Sequence, residues 1–320
     1  MKYIASFRKS LDELLENGNK IVLLGEDIGE PYGGAFKVTK GLEKKYCNQI
    51  ISTPMSESAL TGIINGMALN GHKPILEIMF GDFITLCFDQ IINHASKFKF
   101  LFDKELNMVI RTPMGGYRGY GATHSQTLEK HLFGVPNVKI FAPNILKNPG
   151  ELLKNAFYYK SPFIFFENKL VYSRELIEKN KKFDIKRDKN ITQVTIRGEI
   201  DHDGYLFTYG GMVNKALDII WNVFIEKEKS IKLIIPEIIS PLDDKLVKNL
   251  EYNREIYVLE EGIKNNGFNN EISRLILENN IKPKNFKIFA AKNKVIGASK
   301  TLENYVLPNK DEIIKEIISR

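Results

Sequence analysis

TPMSESALTGIINGMALNGHKPILEIMFGDFITLCFD, residues 53–89, decides how the rest of the chain is read. Thr53 suits a helix N-cap and Pro54 the first helical position. Ile63, Ile64, Met67 and Ala68 give that helix an apolar face, and Asn70-Gly71 closes it. PILEIM then reads as a buried strand, and a long helix is expected from residue 83 to about residue 100. One acid, Glu57, falls in the first turn of the first helix. One aromatic, Phe83, falls just past the strand.

The same alternation runs outward in both directions. Ile4, Phe7, Leu11, Leu14 and Leu15 recur at three- and four-residue steps, so the chain opens with an amphipathic helix that stops near Gly18. IVLLG, residues 21–25, is a strand, and the acidic, glycine-rich GEDIGEPYGG follows at its C-terminal edge, where parallel sheets bind ligands. NMVIR, VKIFA and FIFF are further strands, with a helix around residues 151–159. After a charged stretch come YLFTY, a helix from Met212, IKLII, a helix from about Asp244, EIYVLE, a helix around Ile272, FKIFA and a last helix from Asp311. Strand–helix alternation argues for parallel sheets with helices on both faces, and 320 residues suggest two domains. The expected class is α/β: two doubly wound domains with mainly parallel sheets, residues 1–175 and 204–320. A linker, 176–203, joins them and contains the candidate strand ITQVTI.

Composition excludes several classes. With 43% hydrophobic and 27% charged residues, the chain is an ordinary globular protein, and no apolar run reaches the ~18 residues a membrane span needs. The net charge of +7 comes from lysines scattered beside acids, with no basic stripe interleaved with aromatics, which argues against nucleic acid. Cys47 and Cys87 form neither a CxxC nor a zinc spacing and read as reduced thiols, Cys87 inside. The N-terminus lacks a secretory apolar core, so a cytoplasmic location is the default expectation.

Several side chains and one loop are candidates for chemistry. Glu57 alone needs no function, because the helix dipole favours a carboxylate in a first turn. Its functional reading is a carboxyl group hydrogen-bonded to a heteroaromatic ring nitrogen, favouring that ring's protonated or imino form. Phe83 is either a core aromatic or a platform for a planar ring, with Gly81 opening the backbone to a ligand. GGYRGYGATHSQ, residues 115–126, has neither a GxGxxG opening into a helix nor a P-loop lysine. It reads as a flexible pocket wall in which Arg118 can meet a carboxylate. His124, after the glycines, is an acid/base candidate or an ordinary exposed histidine. Glu26 and Asp27 read as solvated loop acids, as capping residues or as part of a site at the first strand's edge.

Taken in order, LLGEDIGEPYGGAFKVTKGLEKKY, the segment after Thr53, FDQIINHASKF, GATHSQTLEKHLFGVPNVKIFAPN and SPFIFFENKLVYSR resemble the beta subunit of thiamine diphosphate-dependent 2-oxo acid dehydrogenases. This is the decarboxylating component of pyruvate, branched-chain and acetoin systems. TYGGMVNKAL, ISPLDD and YVLEEG resemble its C-terminal domain more loosely. The resemblance implies a transketolase-like fold, with a pyrimidine-binding domain followed by a C-terminal transketolase domain. It also implies a separate alpha subunit that holds the diphosphate and its magnesium through a GDG…N motif missing here, in an assembly of two alpha and two beta chains. No metal ligand is expected in this chain. A structural monovalent cation held by backbone carbonyls stays open, since side-chain spacing does not reveal one.

Position by position, Glu57 matches the glutamate that hydrogen-bonds the aminopyrimidine, Phe83 the aromatic that packs on it, and Met55 the apolar residue whose backbone sits near that ring. His124 matches the active-site histidine that stabilises the substrate-derived intermediate and assists acyl transfer to lipoamide, which brings in a lipoyl acyltransferase as a candidate partner, and Glu26 matches a glutamate in an acidic network between paired sites. The implied activity is oxidative decarboxylation of a 2-oxo acid with acyl transfer to a lipoyl domain. The chain departs from the family pattern at Leu86 and in GGYRGYG, which points to a substrate outside the pyruvate and branched-chain types. Those departures also motivate an alternative, a thiamine-dependent decarboxylase or carbon–carbon ligase subunit without a lipoyl carrier.

Overall fold

A computed structural model describes residues 1–319. The first sheet grows from short runs, most of them buried: β1 (Ile21–Gly25), β2 (Ile50–Ser52), β3 (Lys73–Glu77), β4 (Val109–Met114), β5 (Lys139–Phe141) and β6 (Phe163–Asn168); at the sheet's edge, β2 buries only Ile50. These six pair in parallel. Burial of both faces explains their near-continuous apolar sequences. Around them pack α1 (Tyr3–Asn17), α2 (Glu57–Leu69), the one-turn α3 (Phe98–Phe102) and α4 (Pro149–Ala156), the last capped by Asn148, which accepts from the Gly150 and Glu151 amides. Tyr3, Phe7 and Leu11 on α1 are fully buried against this sheet's core.

The second sheet contains β7 (Phe183–Arg187), β8 (Ile191–Ile196), β9 (Gly204–Phe207) and β10 (Ile231–Pro236). A short β11 (Ile238–Ser240) leaves for the first sheet, and β12 (Glu255–Ile263) and β13 (Asn285–Ala291) complete the second. The strand order is β13-β12-β9-β10-β8-β7, parallel from β13 to β10 and antiparallel through β8 and β7. α5 (Met212–Lys227), α6 (Phe268–Glu278), α7 (Lys300–Val306) and α8 (Lys310–Ile318) flank it. β11 pairs antiparallel with β5 and gives the first sheet the order β11-β5-β6-β4-β3-β1-β2. No helix among the described residues is long and apolar enough to cross a membrane.

Several expectations change. Within the stretch 176–203, the expected strand ITQVTI is β8, and an additional strand, β7, pairs with it in a hairpin on the second sheet, with Val194 and Ile196 buried. α2 starts at Glu57 with Ser56 before it, not at Thr53: the Thr53 amide donates to the Gly25 carbonyl at 3.0 Å, and its buried hydroxyl accepts from no amide of a following helical turn among the described residues. The long helix expected from residue 83 is broken into a 3-10 stretch (Gly81–Cys87), a π-helical stretch (Asp89–Ala95) and α3. One carbonyl of this region, that of Gln90, accepts from the Asn65 side chain of α2 at 2.9 Å, a lateral pull of the kind that widens a helix. The helix expected from Asp244 is a single 3-10 turn capped by Asp243. The sequence pattern does not single out β2, β7, β11 or α7.

A buried polar knot ties the first domain together. Arg111 on β4 donates to Glu167 on β6 through Nε (2.8 Å) and Nη2 (2.9 Å), to Glu77 on β3 through Nη1, and to Tyr172 at 3.3 Å, while its guanidinium lies 5.0 Å from the centre of the Phe7 ring on α1. Glu77 also accepts from the Ala35 amide, so the loop after β1 is fastened to the same cluster.

A second knot joins the domains. Tyr209, after β9, donates its hydroxyl to Glu129, whose second carboxylate oxygen is buried without a partner. Burial pushes the Glu129 carboxyl up to about 7. A carboxyl at about 7 when folded and ~4.3 when unfolded binds its proton more tightly in the folded chain. Its contribution to stability is therefore fully present below the unfolded value and is lost as pH rises through about 7. Glu129→Gln keeps an acceptor for Tyr209 and removes this dependence. Urea unfolding of both proteins between pH 5 and pH 8 is expected to show the variant gaining stability over the wild type as pH rises; parallel curves would refute the assignment.

Candidate active site

The C-terminal edge of the first sheet gathers most of the candidate residues. β1 ends at Gly25, where an added Cβ would lie 2.7 Å from the Glu77 carbonyl oxygen, so only glycine lets β1 and β3 close up at this point. Glu26 follows directly and is buried, with one carboxylate oxygen unpartnered. Burial, the charge of Glu57 and that of Asp27 together push its carboxyl above the ordinary carboxylate range. Glu26 and Glu57 thus face one another electrostatically from the ends of β1 and α2. A neighbouring negative charge disfavours ionisation, and here that effect adds to burial at Glu26.

Glu57 is half-buried, and its carboxylate accepts no hydrogen bond and forms no ion pair among the described residues. Its carbonyl accepts from Thr61 and from the buried Cys87 thiol, which fixes the first turn of α2 against the 3-10 stretch. Met55, two residues earlier, is 83% exposed.

Phe83 sits in the 3-10 stretch that follows β3. Gly81 does not open a path for a ligand: it is buried, and a Cβ there would lie 2.7 Å from the Met114 Cβ, so its role is to let the turn press onto β4. The ring of Phe83 meets the His124 imidazole edge-on with centroids 5.4 Å apart, and Phe80 meets the same imidazole at 4.7 Å. Asp82, between the two aromatics, accepts from the Gln126 amide (3.2 Å) and side chain (3.0 Å). The 3-10 stretch and the histidine loop are therefore one unit.

The glycine-rich loop is tethered at many points, contrary to its reading as a flexible wall. The Gly116 amide donates to Glu261 of β12, and the Arg118 and Gly119 amides donate to Glu303 of α7 at 3.2–3.3 Å. The Tyr117 hydroxyl donates to the Pro308 carbonyl at 3.0 Å. Among the described residues Arg118 meets no carboxylate through its guanidinium; it lies over the rings of Phe36 and Tyr120. His124 exchanges a 2.9 Å hydrogen bond with Thr123 through Nδ1, and its carbonyl accepts from the Lys169 ammonium. Sequence reasoning missed Phe80, Asp82, Lys169, Glu261 and Glu303. Lys169 carried a signal, a lone cation directly after the strand FIFFEN. The two C-terminal glutamates carried none, because only tertiary packing brings them to the loop. Among the described residues no group of three or more His, Cys, Asp and Glu is arranged to hold a metal ion.

With this geometry in view, the comparisons decide the family. Residues 1–174 match the model of the transketolase pyrimidine binding domain, and residues 193–313 that of the transketolase C-terminal domain. The beta subunit of the pyruvate dehydrogenase E1 component from Porphyra purpurea is 33% identical over 282 residues, covering 85% of this chain and 82% of that protein. The chain belongs to the transketolase-like beta-subunit family of the 2-oxo acid dehydrogenases. Another relative in this family is the beta subunit of the acetoin:2,6-dichlorophenolindophenol oxidoreductase of Cupriavidus necator, 33% identical over 270 residues, with 80% and 78% of the two chains covered. A solved split-gene transketolase, described as an inactive beta4 tetramer, superposes with a TM-score of 0.76 over 100% of this chain and 98% of its own, at 19% identity, which speaks for the fold.

Thiamine diphosphate is the cofactor of this transketolase-like family, and the residues at the sheet edge fit its pyrimidine end. A carboxylate without a protein partner, an unpaired buried carboxylate oxygen beside it and a half-buried aromatic are the groups a protonatable aromatic heterocycle requires.

Proposed function

We propose that this chain is the beta subunit of a thiamine diphosphate-dependent enzyme that oxidatively decarboxylates a 2-oxo acid and passes the acyl unit to a lipoyl domain. The observation that carries the proposal is Glu57, a carboxylate at a helix start with no partner of its own, next to Glu26 and packed against the stretch that bears Phe83. When bound, thiamine diphosphate supplies the carbon nucleophile and the electron sink for decarboxylation. Glu57 would accept a hydrogen bond from the pyrimidine ring nitrogen and so favour the ring's imino form. Phe83 would give that ring an apolar face, the Met55 backbone would border it, and Glu26, raised by burial and by the Glu57 charge, would complete the acidic pair at the sheet edge. His124 is the proton donor on the substrate side, steered by Thr123 and by the edges of Phe80 and Phe83.

The chain supplies half a site, so a partner is required. The outer face of α2 carries Gly62 and Gly66, with no side-chain or backbone atom closer than 4.0 Å to a Cβ built at either, together with exposed Ile63 and Leu69. Ile51, Met55 and Leu86 are also exposed at this end of the sheet. Apolar surface of this extent, with two glycines that allow close helix approach, suits a permanent subunit contact. The partner we propose is an alpha subunit that holds the diphosphate and magnesium, in an assembly of two alpha and two beta chains.

Co-purification from the native source tests this reading. The expected result is a stoichiometric partner with a GDG…N motif, and an assembly that turns over a 2-oxo acid with a lipoyl domain as acceptor. Turnover only with an aldehyde acceptor would favour the decarboxylase or ligase reading instead, and a chain that isolates alone and never gains thiamine diphosphate binding would sink both.

A further inference from the structure

Lys169 is fully buried directly after β6, yet it forms no ion pair among the described residues. Its ammonium donates to the His124 carbonyl and lies 5.2 Å from the centre of the Phe80 ring and 5.1 Å from that of Tyr120. Those rings are themselves packed on one another, and Phe80 touches the imidazole. A buried cation matched by one carbonyl and two ring faces is expensive compared with an apolar side chain of similar length, so mere packing does not account for it.

We propose that Lys169 is a positioning residue, whose ammonium holds the distal half of the histidine loop against Phe80 and thereby sets where the His124 ring stands. The proximal half, residues 115–119, is held independently by Glu261, Glu303 and Pro308 of the second domain. In the distal half, residues 122–126, the side chains that reach in from outside the loop by hydrogen bonding are those of Lys169 and Asp82, while the Gln126 carbonyl also accepts from the Gly115 amide at 3.2 Å where the loop leaves β4. The groups whose charges act on Lys169 are Asp82 of the 3-10 stretch, Glu261 of β12, Glu303 of α7 and Arg118 of the loop. Burial outweighs the three acids and lowers the ammonium to about 8. The anchor is therefore charged at neutral pH and is released as pH rises through about 8.

The inference rests on the reading of His124 as the proton donor, but its test does not involve turnover. Hydrogen–deuterium exchange of the isolated chain, corrected for intrinsic rates, is followed in peptides from each half of the loop. In Lys169→Met, which keeps an unbranched apolar chain of nearly the same length but no ammonium, the distal half is expected to exchange at least about tenfold faster while the proximal half is unchanged, the loss expected for a charge-assisted bond. Equal acceleration in both halves would mean a merely structural lysine, and no acceleration would mean no anchor; either overturns the proposal. Should Lys169→Met fail to fold, wild type and Lys169→Arg decide. Loss of distal protection through pH 8 in the wild type but not in the arginine variant supports the proposal, and identical pH responses overturn it. If His124→Ala retained full turnover while these exchange results held, the catalytic reading would fail and the anchor would stand.

Discussion

Glu57→Gln is expected to abolish thiamine-dependent turnover in the assembled enzyme, by roughly 10²–10⁴-fold, while leaving the fold intact. The amide has the size of the carboxyl group and retains an acceptor oxygen, so the first turn of α2 and its contacts through the Glu57 carbonyl to Thr61 and Cys87 are undisturbed. What it lacks is the negative charge that favours a protonated ring nitrogen. The loss should appear in kcat far more than in KM for the 2-oxo acid, because Glu57 acts on the cofactor end of the site. Circular dichroism and subunit association should match the wild type. The variant has a second signature within the chain: the Glu57 charge helps to raise the Glu26 carboxyl, so its removal should lower the pH at which Glu26 titrates. Near-normal turnover by a correctly assembled Glu57→Gln enzyme would end the role given to this residue.

The largest effect on stability is expected at Arg111. Arg111→Leu leaves Glu77 and Glu167 buried opposite an apolar side chain, with three guanidinium hydrogen bonds to carboxylates lost. Removing one partner from a buried ion cluster costs about 3–5 kcal/mol, because the orphaned charges keep their desolvation penalty. Arg111→Lys should recover only part of this, since an ammonium cannot reproduce the two-pronged contact to Glu167. Urea titration followed by far-ultraviolet circular dichroism measures the difference in unfolding midpoint. A loss below about 1 kcal/mol would show that the cluster relaxes or takes up protons instead, since exposed pairs alone contribute no more than that.

How much of this was legible beforehand depends on which forces act locally. β1 was read with its observed limits because five buried residues ending in glycine need no tertiary context. The sequence predicts the helix at Glu57 but starts it too early, because a good capping sequence does not reveal that the Thr53 backbone continues toward β1, with its amide on the Gly25 carbonyl. The break after Phe83 was invisible because it depends on contacts from Asn65 and Gln126, 25 and 44 residues from their partners. The site followed the same division. Glu57 and His124 belong to short motifs in an ordered series, whereas Phe80 is one apolar residue among several in PILEIMF, and Glu261 and Glu303 reach the loop only through the packing of the second domain.

The crossing of β11 has a consequence for how this chain can be divided. Ile238 and Ser240 lie well inside the C-terminal half, yet they cover the outer edge of β5, opposite Phe141 and Ile140. A protein cut between the two family regions would leave that edge with unpaired amides and carbonyls flanked by apolar side chains, a surface that recruits strands from other molecules. The pyrimidine-binding half is thus not a detachable cassette. Gene fusions, splits or domain exchanges that preserve solubility must carry the few residues of β11 with the first sheet, although they lie more than sixty positions downstream of it in the chain.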